Sequence, residues 1–469
     1  MNKSFKFSFE ILIKVFSIFL ILSFLNLLVS CKPVEEIEVT EKITQETEES
    51  ADEVKTKELE EPVDLEIWLS SEYLGDYEKI ENMTLYERLK EFKDENTNIN
   101  LIVKIIPKKD LDSKIVKTFQ ISRDNLPDLS LIYDFSIVVE DNIAKPMDDI
   151  ISDNLKNDIF TFAIDGRKID GKLLGLMLNA DTKLLIYRKD MFKEVGLDPD
   201  KPPTNWLDLI KKGEVLTKDI DEDGAIDIWA LGLPSKSMGK ITSDFIFPNF
   251  FSLGGSLINK EGFPIFHSEQ NRGKIIDTLN FTISILNENL ISKRASEEEN
   301  NLLLSEYIQG KYAMIVTDSS VPFKLKTENQ DIYKNTGFSF IPGRYGTKYT
   351  TLEGPSICLF TNDSEKKKAA SALINYLMEA EFYSKWNYYN EKLPVTKSSY
   401  QTSMLKRDSL YQVFNELCEK GKPIPDGYVI YEALYNELEK NINLAISGNI
   451  APEDAIIQAG EIISKMVEE

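Results

Sequence analysis

Histidine is almost missing from this chain of 469 residues: His267 stands alone. Zinc sites built from several histidines are thereby excluded, and a relay of the Ser-His-Asp kind is disfavoured, since it could use only His267. Glycine (22) and proline (18) are too few for a collagen-like or low-complexity chain. Positive charge is in deficit, with 55 Lys+Arg against 78 Asp+Glu and a formal net charge of −23. A polyanion such as nucleic acid would be repelled, so no nucleic-acid partner is expected. Cysteine is scarce too, at three residues. The length suits two or three domains of roughly 100–200 residues each, enough for a sizeable core.

Long apolar runs are confined to the start. Lys3, Lys6 and Lys14 precede an apolar stretch over residues 15–29. A basic region followed by a short apolar one is the pattern of an export signal, here assigned to residues 1–30. Leu28-Val29-Ser30-Cys31 resembles the bacterial lipobox, which implies cleavage before Cys31 and attachment of diacylglycerol to that cysteine. Acyl chains add about 0.8 kcal/mol per buried CH₂, so such an anchor would hold the protein at the membrane of the cell envelope. Residues 31–61 then carry twelve acidic and four basic residues and no aromatic one. This composition cannot offset its ordering entropy and predicts an acidic, disordered tether reaching on the order of 100 Å when stretched. Cys358 and Cys418 fall in a predicted strand and a predicted helix; the pattern suits two buried thiols, with a disulfide as the alternative in an exported protein.

From residue 63 the chain alternates strand and helix. Leu65, Ile67 and Leu69 alternate with polar residues, 85–92 has helical spacing, 99–106 is strand-like, 109–121 is amphipathic, and 129–133 is a buried-strand pattern. Such alternation predicts an α/β fold with parallel units, in which ligands lie beyond the carboxyl ends of strands. Beyond residue 360 helical stripes dominate: Ala370, Leu373, Ile374, Leu377 and Met378, then Ala455, Ile456, Ala459, Ile463, Met466 and Val467 after Pro452. About 400 ordered residues exceed what one core usually serves, which predicts two lobes.

Several blocks then fall in a telling order: Asn125-Leu126-Pro127-Asp128 before a strand, Gly171-Lys172-Leu173-Leu174-Gly175, Leu184-Leu185-Ile186-Tyr187-Arg188-Lys189-Asp190-Met191-Phe192, Gly196-Leu197-Asp198-Pro199, Pro202-Pro203-Thr204 with Trp206, Gly254-Gly255, Gly310-Lys311-Tyr312-Ala313-Met314, and Leu393-Pro394. In these the chain resembles extracellular solute-binding proteins of ABC importers, in the sugar-binding family that includes maltose-binding proteins. The resemblance implies a periplasmic-binding-protein fold of two hinge-linked α/β lobes closing over a ligand. It places one lobe in residues 62–178 plus about 345–398 and the other in about 182–341 plus 404–469. Crossings are expected near 179–182, 341–345 and 393–403, with Pro342-Gly343 as a hinge element.

A sugar offers hydroxyls and flat C–H faces, so its site needs acceptors and aromatic planes. Loops after predicted strands supply Glu72 and Tyr73, Asp134, Asp318 and Ser319. Glu353 precedes a strand, Asp244 and Phe247 lie upstream of Gly254-Gly255, and Asp181 sits at the first crossing, where maltose-binding proteins carry a ligand-contacting acid. Tyr428 lies near the family's C-terminal aromatic contact. The tryptophans are expected to pack, and His267 to sit in a surface loop. Asp219, Asp221, Asp223 and Asp227 have the spacing of a calcium loop with Gly224 at its turn, but Ala230 stands where an EF-hand has its bidentate glutamate. That segment suits either a structural calcium or a solvated turn; no other cofactor is expected.

The functional expectation is a monomeric, lipid-anchored binding protein, without catalysis, that hands a sugar or oligosaccharide to an ABC permease. A cationic solute such as a polyamine would suit the same acids. A surface glycoside hydrolase, using paired carboxylates, is the alternative of a different class, and a lipoprotein sensor or adhesin a third.

Overall fold

The computed structural model describes residues 62–73, 84–233, 241–292 and 300–468; the expected export signal, Cys31 and the acidic tether lie outside the described residues. Its strands are β1 (Val63–Ser70), β2 (Ile99–Ile106), β3 (Leu129–Ile132), β4 (Lys168–Ile169), β5 (Lys172–Leu173), β6 (Leu176–Met177), β7 (Asp181–Arg188) and β8 (Trp229–Gly232). They continue with β9 (Tyr312–Asp318), β10 (Thr336–Ser339), β11 (Ile341–Pro342), β12 (Lys348–Tyr349), β13 (Thr351–Glu353), β14 (Ser356–Leu359) and β15 (Lys422–Pro423).

The first sheet has the order β2-β1-β3-β14-β6. β1 pairs in parallel with β2 and β3, whereas β14 and β6 run antiparallel. Every residue of β3 and β14 is buried, which is why these segments read as apolar runs and not as alternations. The helix Leu85–Glu95 starts at Thr84, whose hydroxyl accepts from the Glu87 N–H at 3.1 Å. Its Leu85, Leu89 and Phe92, spaced at one and two turns, are its buried face. The helix Ser364–Leu377, capped by Asp363, packs Ala370, Leu373, Ile374 and Leu377 on the same sheet.

The second sheet has the order β15-β13-β7-β9-β8, with β10 also on β7. It is mixed: β7 is antiparallel to β13, β9 and β10, while β8 with β9 and β13 with β15 are parallel pairs. The physical reason is that β13 and β7 are segments crossing between sheets in opposite directions. The helices Ile430–Ile446 and Pro452–Glu468 pack on each other and on Glu269–Asn287. Ala455, Ile456, Ala459 and Ile463 are buried there, while Met466 is left half exposed.

The chain changes sheets between Met177 and Asp181 and again at Gly354-Pro355. The two passages touch: Leu178 N–H donates to Pro355 C=O at 2.8 Å, and Ala180 bridges Leu393 in antiparallel register. A passage expected at 341–345 is therefore displaced; Ile341–Pro342 instead forms a hairpin with Lys348–Tyr349. β13, expected with the first lobe, is hydrogen-bonded into the second sheet. Cys358 and Cys418 are both free and buried. Burial pushes the Cys418 thiol up to about 12 and raises that of Cys358 as well.

Candidate ligand-binding cleft

Side chains two apart on a strand share a face, so Asp181 and Lys183 of β7 point the same way. Glu353 on β13 lies opposite Asp181, and Asp318 at the end of β9 lies opposite Lys183. The register thus gathers three carboxylates and one ammonium on one patch of sheet, beside the passages. Asp181 Oδ1 accepts from the Ser319 hydroxyl at 3.2 Å, and its Oδ2 pairs with Lys392 at 2.8 Å. Ser319 in turn accepts from Thr182 N–H at 3.2 Å. A fourth acid arrives from the π-helical turn Thr242–Ile246, an irregularity that often marks functional sites. Its Asp244 is buried and lies 3.5 Å from Lys183, whose ammonium is also 3.3 Å from Glu353.

Electrostatics follow from this packing. Burial lowers the proton affinity of Lys183, but Asp244, Glu353 and Asp318 outweigh it and hold the lysine cationic. Burial lifts Asp244 above the usual carboxylate range, with Lys183 opposing. Burial also acts against ionised Asp318, yet its bonds from Ser320 and the charge of Lys183 leave it below that range.

Loops after β1 and β3 carry the expected Glu72, Tyr73 and Asp134. The buried Tyr73 donates to Asn179 Oδ1 at 3.2 Å and its ring lies 5.6 Å from that of Trp386. Glu72 accepts from the Tyr133 hydroxyl at 2.5 Å and pairs with Lys108 at 3.2 Å. Asp134 is exposed and accepts from Ser136 N–H at 3.1 Å and Ser136 Oγ at 2.6 Å. Asp112 fixes this loop from behind, its carboxylate accepting from both Tyr133 N–H (3.1 Å) and Asp134 N–H (2.8 Å).

Two expected aromatic contacts are corrected. Phe247 is fully buried against Phe251 and Tyr435, a core residue, because Pro248 and the following apolar run drive this helix into the second core. Tyr428 donates to Lys260 C=O at 3.1 Å, lies over Gly262, and feels the charges of Asp170 and Glu261 instead of those of the patch. About one helical turn later, Tyr431 feels both Glu353 and Asp426, and burial raises its hydroxyl far above the usual tyrosine value.

Residues that the sequence pattern did not single out complete the group: Lys183, Lys392, Arg167, Asn179, Tyr133, Asp426 and Tyr431. Strand periodicity alone would have found Lys183, two residues after Asp181. Arg167 and Lys392 carry no local signal, since only folding brings them near.

The acidic loop is separate. Oxygens of Asp219, Asp221 and Asp227 lie within 4.8 Å of one another, whereas Asp223 is outside that group. The loop's carboxylates are largely engaged by its own backbone: Gly224 N–H on Asp219 (2.8 Å), Ile220 N–H on Asp227 (2.7 Å) and Ala225 N–H on Asp223 (2.7 Å). His267, expected in a surface loop, is partly buried against Gly460, with its Nε2 3.3 Å from Ser464 Oγ.

Among the described residues, no helix is long and apolar enough to cross a membrane. A binding protein of Brucella abortus (strain 2308) is 26% identical over 315 residues, 66% of this chain and 71% of the relative. The sugar-binding protein MalE from Xanthomonas citri superposes with a TM-score of 0.72 at 20% identity, over 87% of this chain and 98% of the other. The cyclic alpha-maltosyl-1,6-maltose binding protein from Arthrobacter globiformis gives 0.67 at 18% identity, over 86% and 98%. These likenesses carry the two-lobe fold. The model of the bacterial extracellular solute-binding proteins matches residues 87–413, and the chain belongs to that family.

Proposed function

We propose that the protein captures a neutral sugar or oligosaccharide between its lobes and presents it to an ABC permease, without chemical change. The observation that carries this is the patch where Asp181 and Glu353 face each other across β7 and β13, beside the inter-sheet passages. There carboxylate acceptors, the Ser319 hydroxyl and the ammonium groups of Lys183 and Lys392 offer both halves of a hydroxyl's hydrogen bonding. Tyr431 supplies aromatic surface for C–H faces. The sugars named for the Xanthomonas and Arthrobacter proteins support the same ligand class. Cys31 acts as the lipid attachment point, holding a monomer at the outer face of the membrane.

Thermal-shift titration with maltose, maltotriose and mannotriose tests the reading. Ligand that binds only the folded state adds about 2.7 kcal/mol at a hundredfold excess over its dissociation constant. A sugar-dependent rise without release of reducing ends is expected. Hydrolysis of the sugar, or a flat response across neutral sugars beside a rise with spermidine, would overturn it.

A further inference from the structure

Lys183 contacts two carboxylates at once. Its side chain is 14% exposed, and its two carboxylate contacts, at 3.3 and 3.5 Å, are longer than the roughly 2.7–2.9 Å of a well-formed charged hydrogen bond. Neighbouring Lys392 holds Asp181 at 2.8 Å. The Lys183 ammonium has three donors and two carboxylate contacts, so one N–H remains for a further acceptor. It sits among Asp244, Glu353 and Asp318, on the face it shares with Asp181. An external amine entering this patch would meet four carboxylates and a resident cation already among them.

We propose that Lys183 is the specificity-determining residue of the cleft: its ammonium stands where a cationic solute's would, excluding amines, and its free N–H capacity takes an oxygen of a neutral ligand. The inference deepens the sugar reading and rests on it for the second half only. Removal of the ammonium leaves the acids uncompensated and opens a space of matching charge. A small amine should then bind where none bound before.

The test compares wild type with Lys183→Ala and Lys183→Met, using propylammonium, spermidine and maltotriose as probes in thermal-shift and calorimetric titrations. Wild type is expected to show no saturable response to either amine. Both variants gain a saturable rise with propylammonium, which 0.5 M salt weakens only in part because Asp244 is buried. Loss of a charged hydrogen bond weakens maltotriose about tenfold to a hundredfold, and propylammonium restores part of it in Lys183→Ala. Circular dichroism checks that each variant is folded, and should Lys183→Ala fail to fold, Lys183→Met keeps the stem. Binding of spermidine by wild type, or a folded variant without amine response, overturns the proposal. A wild type blind to every neutral sugar sinks the sugar reading instead, and the amine arms still judge Lys183.

Discussion

The Arg167 guanidinium, 1% exposed, holds the Asp426 carboxylate at 2.7 Å. Its remaining nitrogens donate to Gly354 C=O at 2.9 Å and Ser356 Oγ at 2.6 Å. One side chain thus ties the Gly354-Pro355 passage to the segment leading into the C-terminal helices. Burial raises the Asp426 carboxyl, and Arg167 opposes that rise. Arg167→Ala strands a partly buried acid, the Gly354 carbonyl and the Ser356 hydroxyl. A loss of about 3–5 kcal/mol in urea unfolding is expected, and a stability unchanged within 1 kcal/mol would refute the tie.

Gly354 has a purely steric role. A Cβ there would lie 2.0 Å from the Asn179 carbonyl oxygen, which belongs to the other passage and cannot yield without moving it. Gly354→Ala should therefore cost about 1–3 kcal/mol or more, read as a lower melting temperature. Gly273, where nothing lies within 4 Å of the added carbon, is the control: Gly273→Ala should be neutral or mildly stabilising, as expected in a helix.

Tyr431 and Tyr428 make a discriminating pair. Tyr431→Ala is expected to weaken sugar binding by about tenfold, because it removes an aromatic surface beside Glu353 and Asp426. Tyr428→Ala should leave the affinity within about twofold, since its partners are Lys260 and Gly262. Isothermal titration of both variants decides, and the reverse order would move the site toward Tyr428.

His267 allows a clean pH measurement, being the sole histidine. Burial against Gly460 lowers its pKa from the ordinary 6.5. The unfolded chain therefore takes the proton first as pH falls. The stability present above about 6.5 is lost as pH descends through the folded-state value. Urea midpoints from pH 7.5 to about 5 should show this decline in wild type and a smaller one in His267→Gln. An imidazole that titrates above 6.5 by NMR would contradict the burial argument.

The position of Asp181 was legible because a carboxylate between two apolar runs breaks the strand pattern, and the resemblance assigns it a contact. The π-helical turn that aims Asp244 was not, since it depends on how the helix meets Lys183. Phe247 and Tyr428 were misplaced for one reason: an aromatic residue near a loop reads the same whether it faces a core, a ligand or a neighbouring turn. The displaced passage at Gly354-Pro355 is similar, for Pro342-Gly343 is as good a hinge signal locally.

The amino-acid order alone determined the family, the alternation of strands and helices, and the excess of acid over base, because these rest on short-range periodicity and composition. Only the tertiary structure decided which acids share a patch and which lysines stand among them. Asp318 meets Lys183 and Glu353 meets Asp181, far apart in sequence, through strand register, and register is set by burial of whole strands and not by the charged residues themselves.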